Sequence, residues 1–156
     1  MDLLSASLFF GLVLVGLLIA LAAVDRARMI LPDPLNAALA IAGIVQSFVT
    51  QRPEPVDALL GCALTGGLLF AVAEGYRRWR GVEGLGLGDV KLAAAGATWT
   101  GVAGVGPMLL AATASCAVVI AWRAARGAPI DARARFPFGP YIALGVFVAW
   151  LVSRTL

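Results

Sequence analysis

The chain has 156 residues, of which 61% are hydrophobic and 13% are charged, and its formal net charge is +3. Because a soluble domain has about 45–50% apolar residues, this composition predicts an integral membrane protein with a single domain over residues 1–156. The sequence contains no histidine, which excludes Ser-His-Asp and Cys-His catalysis and HExxH zinc sites. The net charge does not indicate a nucleic-acid partner, because membrane proteins concentrate basic residues in cytoplasmic loops.

The two cysteines, Cys62 and Cys116, are single residues in apolar segments and form no CxxC pair. They therefore provide neither a zinc knuckle nor a redox dithiol. Any chemistry must come from carboxylates, lysine, arginine, tyrosine or hydroxyl groups, and no metal or other cofactor is predicted.

The first two predicted helices are apolar segments joined by a short polar one. Leu3 to Val24 is a stretch of 22 residues without a charge, enough to cross a bilayer core at about 1.5 Å per residue. The second charge-free run covers Pro34 to Gln51. Asp33 is the predicted N-cap of this helix, because Asp is favoured there and Pro34 suits the first helical position.

Asp57 is predicted to cap a third helix that extends to about Tyr76. The basic residues that follow are predicted to form a loop: Arg77, Arg78 and Arg80. The next charge-free run, from Leu92 to Trp122, has 31 residues and can form either one long helix or two short ones. Tyr141 to Ser153 is predicted to be the last helix.

The distribution of basic residues decides between one span and two in this long run. With two spans, ten basic residues share one side and only Arg52 and Arg154 lie on the other; with one span the division is 7 to 5. The positive-inside rule therefore predicts a polytopic all-α bundle of six transmembrane helices with both termini outside. The ten residues are Arg26, Arg28, Arg77, Arg78, Arg80, Lys91, Arg123, Arg126, Arg133 and Arg135. The break is expected at Gly101, Gly104, Gly106 and Pro107.

Two aspartates lie at the predicted cytoplasmic boundary of this topology. Asp25 ends the first helix, and Asp89 begins the fourth after three alternating glycines, Gly84, Gly86 and Gly88. An aspartate at the mouth of a membrane helix is energetically costly, which makes it a functional candidate. The glycines allow the backbone to bend and to approach a partner where a Cβ would be in the way.

Two aspartates at one depth on two helices can share a pocket in a bundle. Because like charges a few ångströms apart do not both ionise easily, one stays protonated while the other is ionised. The ionised group can activate a water, and the protonated group can donate a proton to the carbonyl or to the leaving amine. Such a pair predicts aspartic-protease chemistry, which needs neither histidine nor metal.

Structural explanations exist for each acid on its own. A carboxylate at a helix end is usually an interfacial charge or a cap, so the hypothesis depends on the pair. Glu83 alone fits an interface charge beside the arginines, and Lys91 is expected to extend to the lipid headgroups. Two other function classes stay open: a proton-coupled membrane carrier component that uses the same acid pair, and a non-enzymatic scaffold.

Three blocks of the sequence resemble type IV prepilin peptidases. Gly86 to Asp89 is a GxGD motif, and the surrounding segment from Glu83 to Leu92 is similar to the family signature. Asp25 followed by Ile30 to Leu35 resembles the family's first-aspartate segment, and Pro137 to Gly145 resembles the start of its last helix. The blocks occur in the family's order and span nearly the whole chain.

The resemblance implies an intramembrane aspartic endopeptidase that removes the short basic leader of type IV prepilins or pseudopilins. Such an enzyme would lie in the bacterial inner membrane with its active site facing the cytoplasm, and its partners would be these substrates and membrane lipids. The implied catalytic residues are Asp25 and Asp89. The implied substrate-binding or site-shaping residues are Glu83, Gly86, Gly88, Lys91, Pro137, Gly139 and Pro140.

The longer members of that family carry paired CxxC motifs before the peptidase core and also N-methylate the new terminus. This sequence shows no such motif. It therefore resembles the short, peptidase-only members, and N-methyltransferase activity is not expected.

Overall fold

The computed structural model describes residues 3–82, 84–127 and 137–155, and every regular element within them is helical. Three helices, the first, third and fifth, are long and apolar enough to cross a membrane. The predicted class, a polytopic all-α membrane protein, is thereby confirmed. The helices are α1 (Leu3–Arg28), α2 (Asp33–Thr50), α3 (Pro55–Arg80), α4 (Leu87–Ala97), α5 (Val105–Ala125) and α6 (Gly139–Thr155).

The long charge-free run is broken into two helices, as predicted, but α4 is not among the helices that are long enough to cross a membrane. After α4 the chain turns through Gly101, whose φ of 66° favours glycine, and passes one 3₁₀ turn at Val102–Gly104. The two halves are unequal, since α4 has 11 residues and α5 has 21. Pro107 lies in the first turn of α5 and not in the break, because a proline is tolerated where the backbone N–H has no helical partner.

The predicted loop of arginines after the third helix is wrong. Arg77, Arg78 and Arg80 form the last turn of α3. Basic residues stabilise the negative end of a helix dipole, and Glu74 pairs with both Arg77 and Arg78 one turn apart. The helix ends at Gly81, which adopts the left-handed conformation with φ 71°.

Both predicted N-caps are also wrong. Pro32 and Glu54 occupy the cap positions of α2 and α3, and neither makes a side-chain capping bond. Asp33 is the first residue of α2 and pairs with Lys91, while Asp57 lies in the first turn of α3 and accepts a hydrogen bond from the Val102 N–H. An acid in the first turn still interacts favourably with the helix dipole, but both carboxylates are used for contacts between elements.

The short helix α4 packs against α2, α3 and α6. Ala93 and Ala97 are fully buried in it, and a Cβ on Gly61 of α3 would lie only 3.0 Å from the Ala97 carbonyl oxygen. Small residues therefore do permit close approach here. Gly101, the next small residue at this four-residue spacing, lies beyond the end of α4. This packing holds the end of α4 against α3.

Candidate active site

One pocket, with a volume of about 490 Å³, lies where the end of α1 meets the starts of α2 and α4. It is lined by Asp25, Met29, Ile30, Leu31, Pro32, Asp33, Gly86, Gly88, Asp89 and Lys91. The structure therefore brings together Asp25 and Asp89, which are far apart in the chain. A site lined by two carboxylates from two helices can exchange protons with a bound water or peptide.

Asp25 lies one turn before the end of α1, rather than at its end, and is only 6% exposed. Its Oδ2 accepts a hydrogen bond of 3.1 Å from the Gly139 N–H at the start of α6. A Cβ on Gly139 would lie 2.6 Å from that oxygen. Gly139 is therefore the residue of α6 that contacts Asp25, and only a glycine fits there without displacing the carboxylate.

Asp89 lies in the first turn of α4, outside the three helices that are long enough to span a membrane. Burial is the main cause that raises the pKa of Asp89 to about 6, and the nearby charge of Asp25 raises it further, while a backbone hydrogen bond from Gly86 acts in the opposite direction. Asp89 thus retains its proton to a higher pH than an isolated aspartate.

The glycines of the motif have different neighbours. A Cβ on Gly84 would lie 2.6 Å from Cδ1 of Tyr76, and one on Gly88 would lie 3.1 Å from Cβ of Leu31. Gly86 precedes α4 in an extended conformation, with its Cβ position 3.2 Å from Oδ2 of Asp89. Gly88 thus allows the start of α4 to approach the segment that follows Asp25, and Gly86 lies directly beside the second carboxylate.

The rim of the pocket carries an ion pair. Lys91 Nζ lies 2.7 Å from Asp33 Oδ1, and both side chains are more than half exposed. Lys91 was expected to extend to the headgroups, but here it bridges α4 to α2. Sequence reasoning treated Asp33 as a cap and missed its place at the pocket, although Asp33 belongs to the Ile30 to Leu35 block.

The remaining candidates divide into two groups. Pro137 and Pro140 flank Gly139 but do not line the pocket. Glu83 lies outside the described residues, as do Arg133 and Arg135, two of the ten basic residues expected on the cytoplasmic side. The structure therefore places Gly86, Gly88 and Lys91 at the pocket, and Gly139 against Asp25.

The fold and the pocket together define a polytopic helical membrane protein with a paired-carboxylate site. The model of the type IV leader peptidase family matches residues 12–122 of this chain. The chain belongs to that family. This membership supports a peptidase, and it does not support the alternative of a proton-coupled carrier.

The chain is similar to several named relatives. A prepilin leader peptidase/N-methyltransferase of Xanthomonas campestris is 34% identical over 149 residues, which cover 95% of this chain and 51% of that protein. Leader peptidase HopD of Escherichia coli is 37% identical over 127 residues, 80% of each chain. A prepilin leader peptidase/N-methyltransferase of Burkholderia pseudomallei is 34% identical over 139 residues, 82% of this chain and 41% of that protein.

The chain thus spans about half the length of the first of these relatives and four fifths of HopD. No solved structure matches it significantly.

Proposed function

We propose that this protein is an intramembrane aspartic endopeptidase that removes the short basic leader of type IV prepilins or pseudopilins. The observation that carries the proposal is that Asp25 and Asp89 line one pocket, in a chain that belongs to the type IV leader peptidase family. The names of the relatives support the choice of substrate, because they are leader peptidases or prepilin leader peptidases. The proposal concerns the peptidase reaction alone.

In this reaction the carboxylate pair holds one proton. The ionised aspartate takes a proton from a water as the water oxygen bonds to the carbonyl carbon of the scissile peptide, and the protonated aspartate donates its proton to the carbonyl oxygen. When the tetrahedral intermediate collapses, the C–N bond breaks and the amine leaves with a proton from the pair, while one hydroxyl of the intermediate returns its proton to the pair as the carboxyl group forms. The products are a leader that ends in a carboxyl group and a mature subunit with a new amino terminus.

The surroundings of the two aspartates suit this role. The Gly139 N–H holds the buried carboxylate of Asp25 in one orientation, and Gly86 lies next to the carboxylate of Asp89. A low-dielectric site with fixed hydrogen bonds strengthens the electrostatic effect of the pair on the reacting amide.

The charges of the pocket favour a basic leader. Three acids line it, Asp25, Asp33 and Asp89, against one base, Lys91. A cationic peptide is therefore attracted to the pocket although the surrounding surface carries many basic residues. The same basic residues support an inner-membrane topology with the pocket on the cytoplasmic side.

Co-expression with candidate prepilins, followed by N-terminal sequencing of the subunit, tests the proposal. We expect the subunit to begin immediately after its leader when the parent chain is present, and to keep the leader with Asp25→Asn or Asp89→Asn. Cleavage of a synthetic prepilin peptide by the purified protein in detergent separates a peptidase from a carrier, because no proton gradient exists there. A purified, folded protein that leaves every candidate prepilin uncut contradicts the proposal.

A further inference from the structure

Asn36, at the end of the first turn of α2, is a buried polar residue whose side chain has no hydrogen-bond partner among the described residues. The residue is 5% exposed, and within residues 3–82, 84–127 and 137–155 neither its Nδ2 nor its Oδ1 has a partner. Buried amides in folded proteins are nearly always hydrogen-bonded, because an unpaired one loses its hydration without compensation. An unpaired carboxamide next to a candidate active site therefore requires an explanation.

The contacts of α2 show which way Asn36 faces. Helices α2 and α4 run in parallel, because Asp33 pairs with Lys91 near their starts, and Gly43 packs on Trp99 beyond the end of α4, with its Cβ position 2.7 Å from Trp99 Cδ1. Trp99 also contacts the backbone of α2 one turn earlier, because its Nε1 donates a 2.9 Å hydrogen bond to the Leu39 carbonyl. Asn36, three residues before Leu39 and seven before Gly43, shares this face. Asn36 therefore faces α4 on the level of its first turns.

The direction of the side chain brings it towards the pocket. Side chains on a helix point back to its N-terminus, and the N-terminus of α2 carries Pro32 and Asp33, which line the pocket. Asn36 follows these two residues by four and three positions, one turn further along the same face. Asn36 is not part of the pocket lining, but it follows the lining residues Pro32 and Asp33 by one helical turn, and its side chain is directed back towards them.

We propose that the Asn36 carboxamide binds the peptide backbone of the substrate, with Nδ2 donating to a carbonyl oxygen and Oδ1 accepting from an N–H. A carboxamide offers a donor and an acceptor in one plane, which is the same pattern that a peptide group offers in reverse. Asn36 becomes reachable when the substrate separates Lys91 from Asp33. An exposed ion pair of this kind contributes little to stability, so separating it costs little. This inference rests on the proposed peptidase function.

A substrate-binding role and a purely structural role predict different effects of Asn36→Leu. If ordered water satisfies the carboxamide and it only supports the bundle, its removal lowers both stability and activity. If the carboxamide is unpaired until substrate binds, the apolar side chain of similar size removes a destabilising group from the free protein. The thermal midpoint then stays equal or rises while cleavage is lost.

The first test measures the thermal midpoint in detergent and the kcat/KM for a synthetic peptide that carries the leader junction of a prepilin. For Asn36→Leu we expect an unchanged or higher midpoint and a kcat/KM about 10- to 100-fold lower, the loss expected when a peptide group is desolvated without a partner. Thr65→Val is the matched control, because the Thr65 hydroxyl is also buried without a partner among the described residues but lies away from the pocket. It should leave kcat/KM unchanged.

The second test replaces single peptide N–H groups of the substrate by ester oxygens, at each position except the scissile bond. At the position that contacts Asn36, the ester should lower kcat/KM for the parent chain but not lower it further for Asn36→Leu, because the contact is already absent. The inference is overturned if the parent chain cleaves the peptide and Asn36→Leu does so equally well, if its midpoint falls together with its activity, or if every ester affects both enzymes alike. A parent chain that cleaves no prepilin peptide overturns the peptidase proposal itself.

Discussion

At both ends of the bundle, an aspartate of one helix accepts a hydrogen bond from a backbone N–H of another element. At one end, Asp25 accepts a hydrogen bond of 3.1 Å from the Gly139 N–H; at the other, Asp57 accepts one of 3.2 Å from the Val102 N–H. A glycine leaves the space in both cases, because a Cβ on Gly139 or on Gly101 would clash with the carboxylate. An aspartate that accepts a hydrogen bond from a backbone N–H thus connects two elements twice in this fold.

The surroundings of Asp25 and Asp57 differ. Asp25 adjoins a pocket of about 490 Å³ that also contains Asp89 and has three acids in its lining. Near Asp57, a cavity of about 280 Å³ is lined by two arginines, Arg52 and Arg154, and by no acid among the described residues. An aspartate that accepts a backbone hydrogen bond therefore does not by itself mark a candidate catalytic site, and Asp57, unlike Asp25, is only partly buried. A second carboxylate and an opening to the substrate are what distinguish the candidate site.

The largest expected effect on the cleavage rate comes from the carboxylate pair, Asp25 and Asp89. Asp25→Asn and Asp89→Asn should each lower the cleavage rate of a prepilin peptide at least about 1,000-fold, because neither variant can hold and transfer the shared proton. Asp57→Asn is the matched variant at the opposite end and should leave the rate unchanged. Rates are measured on protein that elutes as a folded species in detergent. Equal losses in all three variants would remove the distinction between the two ends.

The glycines that contact Asp25 and Asp57 provide a second comparison of the two ends. Gly139→Ala should lower kcat about 10- to 100-fold, because the new Cβ displaces the Asp25 carboxylate, and a shift of this size is costly in an active site. Gly101→Ala should instead lower the thermal midpoint without changing kcat, because the position needs a φ of 66°. Gly67→Ala, where a Cβ would meet nothing within 4 Å, should change neither. A normal kcat for Gly139→Ala would show that Asp25 does not depend on this contact.

The raised pKa of Asp89 predicts a pH-dependent stability. Since the pKa is about 6 in the folded protein against 3.8 for an isolated aspartate, the folded state favours the protonated form. Its stabilising contribution is complete below about pH 3.8 and is lost as the pH rises through 6. Asp89→Asn cannot ionise, so its thermal midpoint should exceed that of the parent chain by a few degrees at pH 8 and by little at pH 4.5. A difference that does not change with pH contradicts the prediction.

The smallest expected effect concerns the Lys91–Asp33 ion pair at the rim of the pocket. Because both partners of the Lys91–Asp33 pair are exposed, the coupling energy in a double-mutant cycle of Lys91→Met and Asp33→Asn should be less than about 1 kcal/mol. It should decrease further at high salt. Unfolding of the two single variants and the double variant, at low and high ionic strength, measures it. A large coupling that persists in salt would mean that the pair is a fixed part of the bundle.

Local patterns in the sequence were sufficient for the helices. Apolar runs and charge placement predicted the six helices, the break between Leu92 and Trp122, and the meeting of Asp25 with Asp89 at one end of the bundle. They failed at the helix ends: Arg77 to Arg80 extend α3, and the acids Asp33 and Asp57 do not cap. The two acids bind partners far away in the chain, Lys91 and the Val102 N–H, and such partners do not appear in a local pattern. The arginines instead stay helical with a local partner, Glu74.

The sequence by itself determined that this is a helical membrane protein with two candidate carboxylates, because hydrophobicity, charge and glycine spacing act over short stretches of chain. Only the tertiary structure decided what surrounds those carboxylates and their pocket: the Gly139 N–H on Asp25, the Lys91 bridge to Asp33, and the buried, unpaired Asn36 one turn after Asp33. Each of these depends on the distance and orientation between two helices. Those quantities follow from packing of the whole bundle, which no single segment specifies.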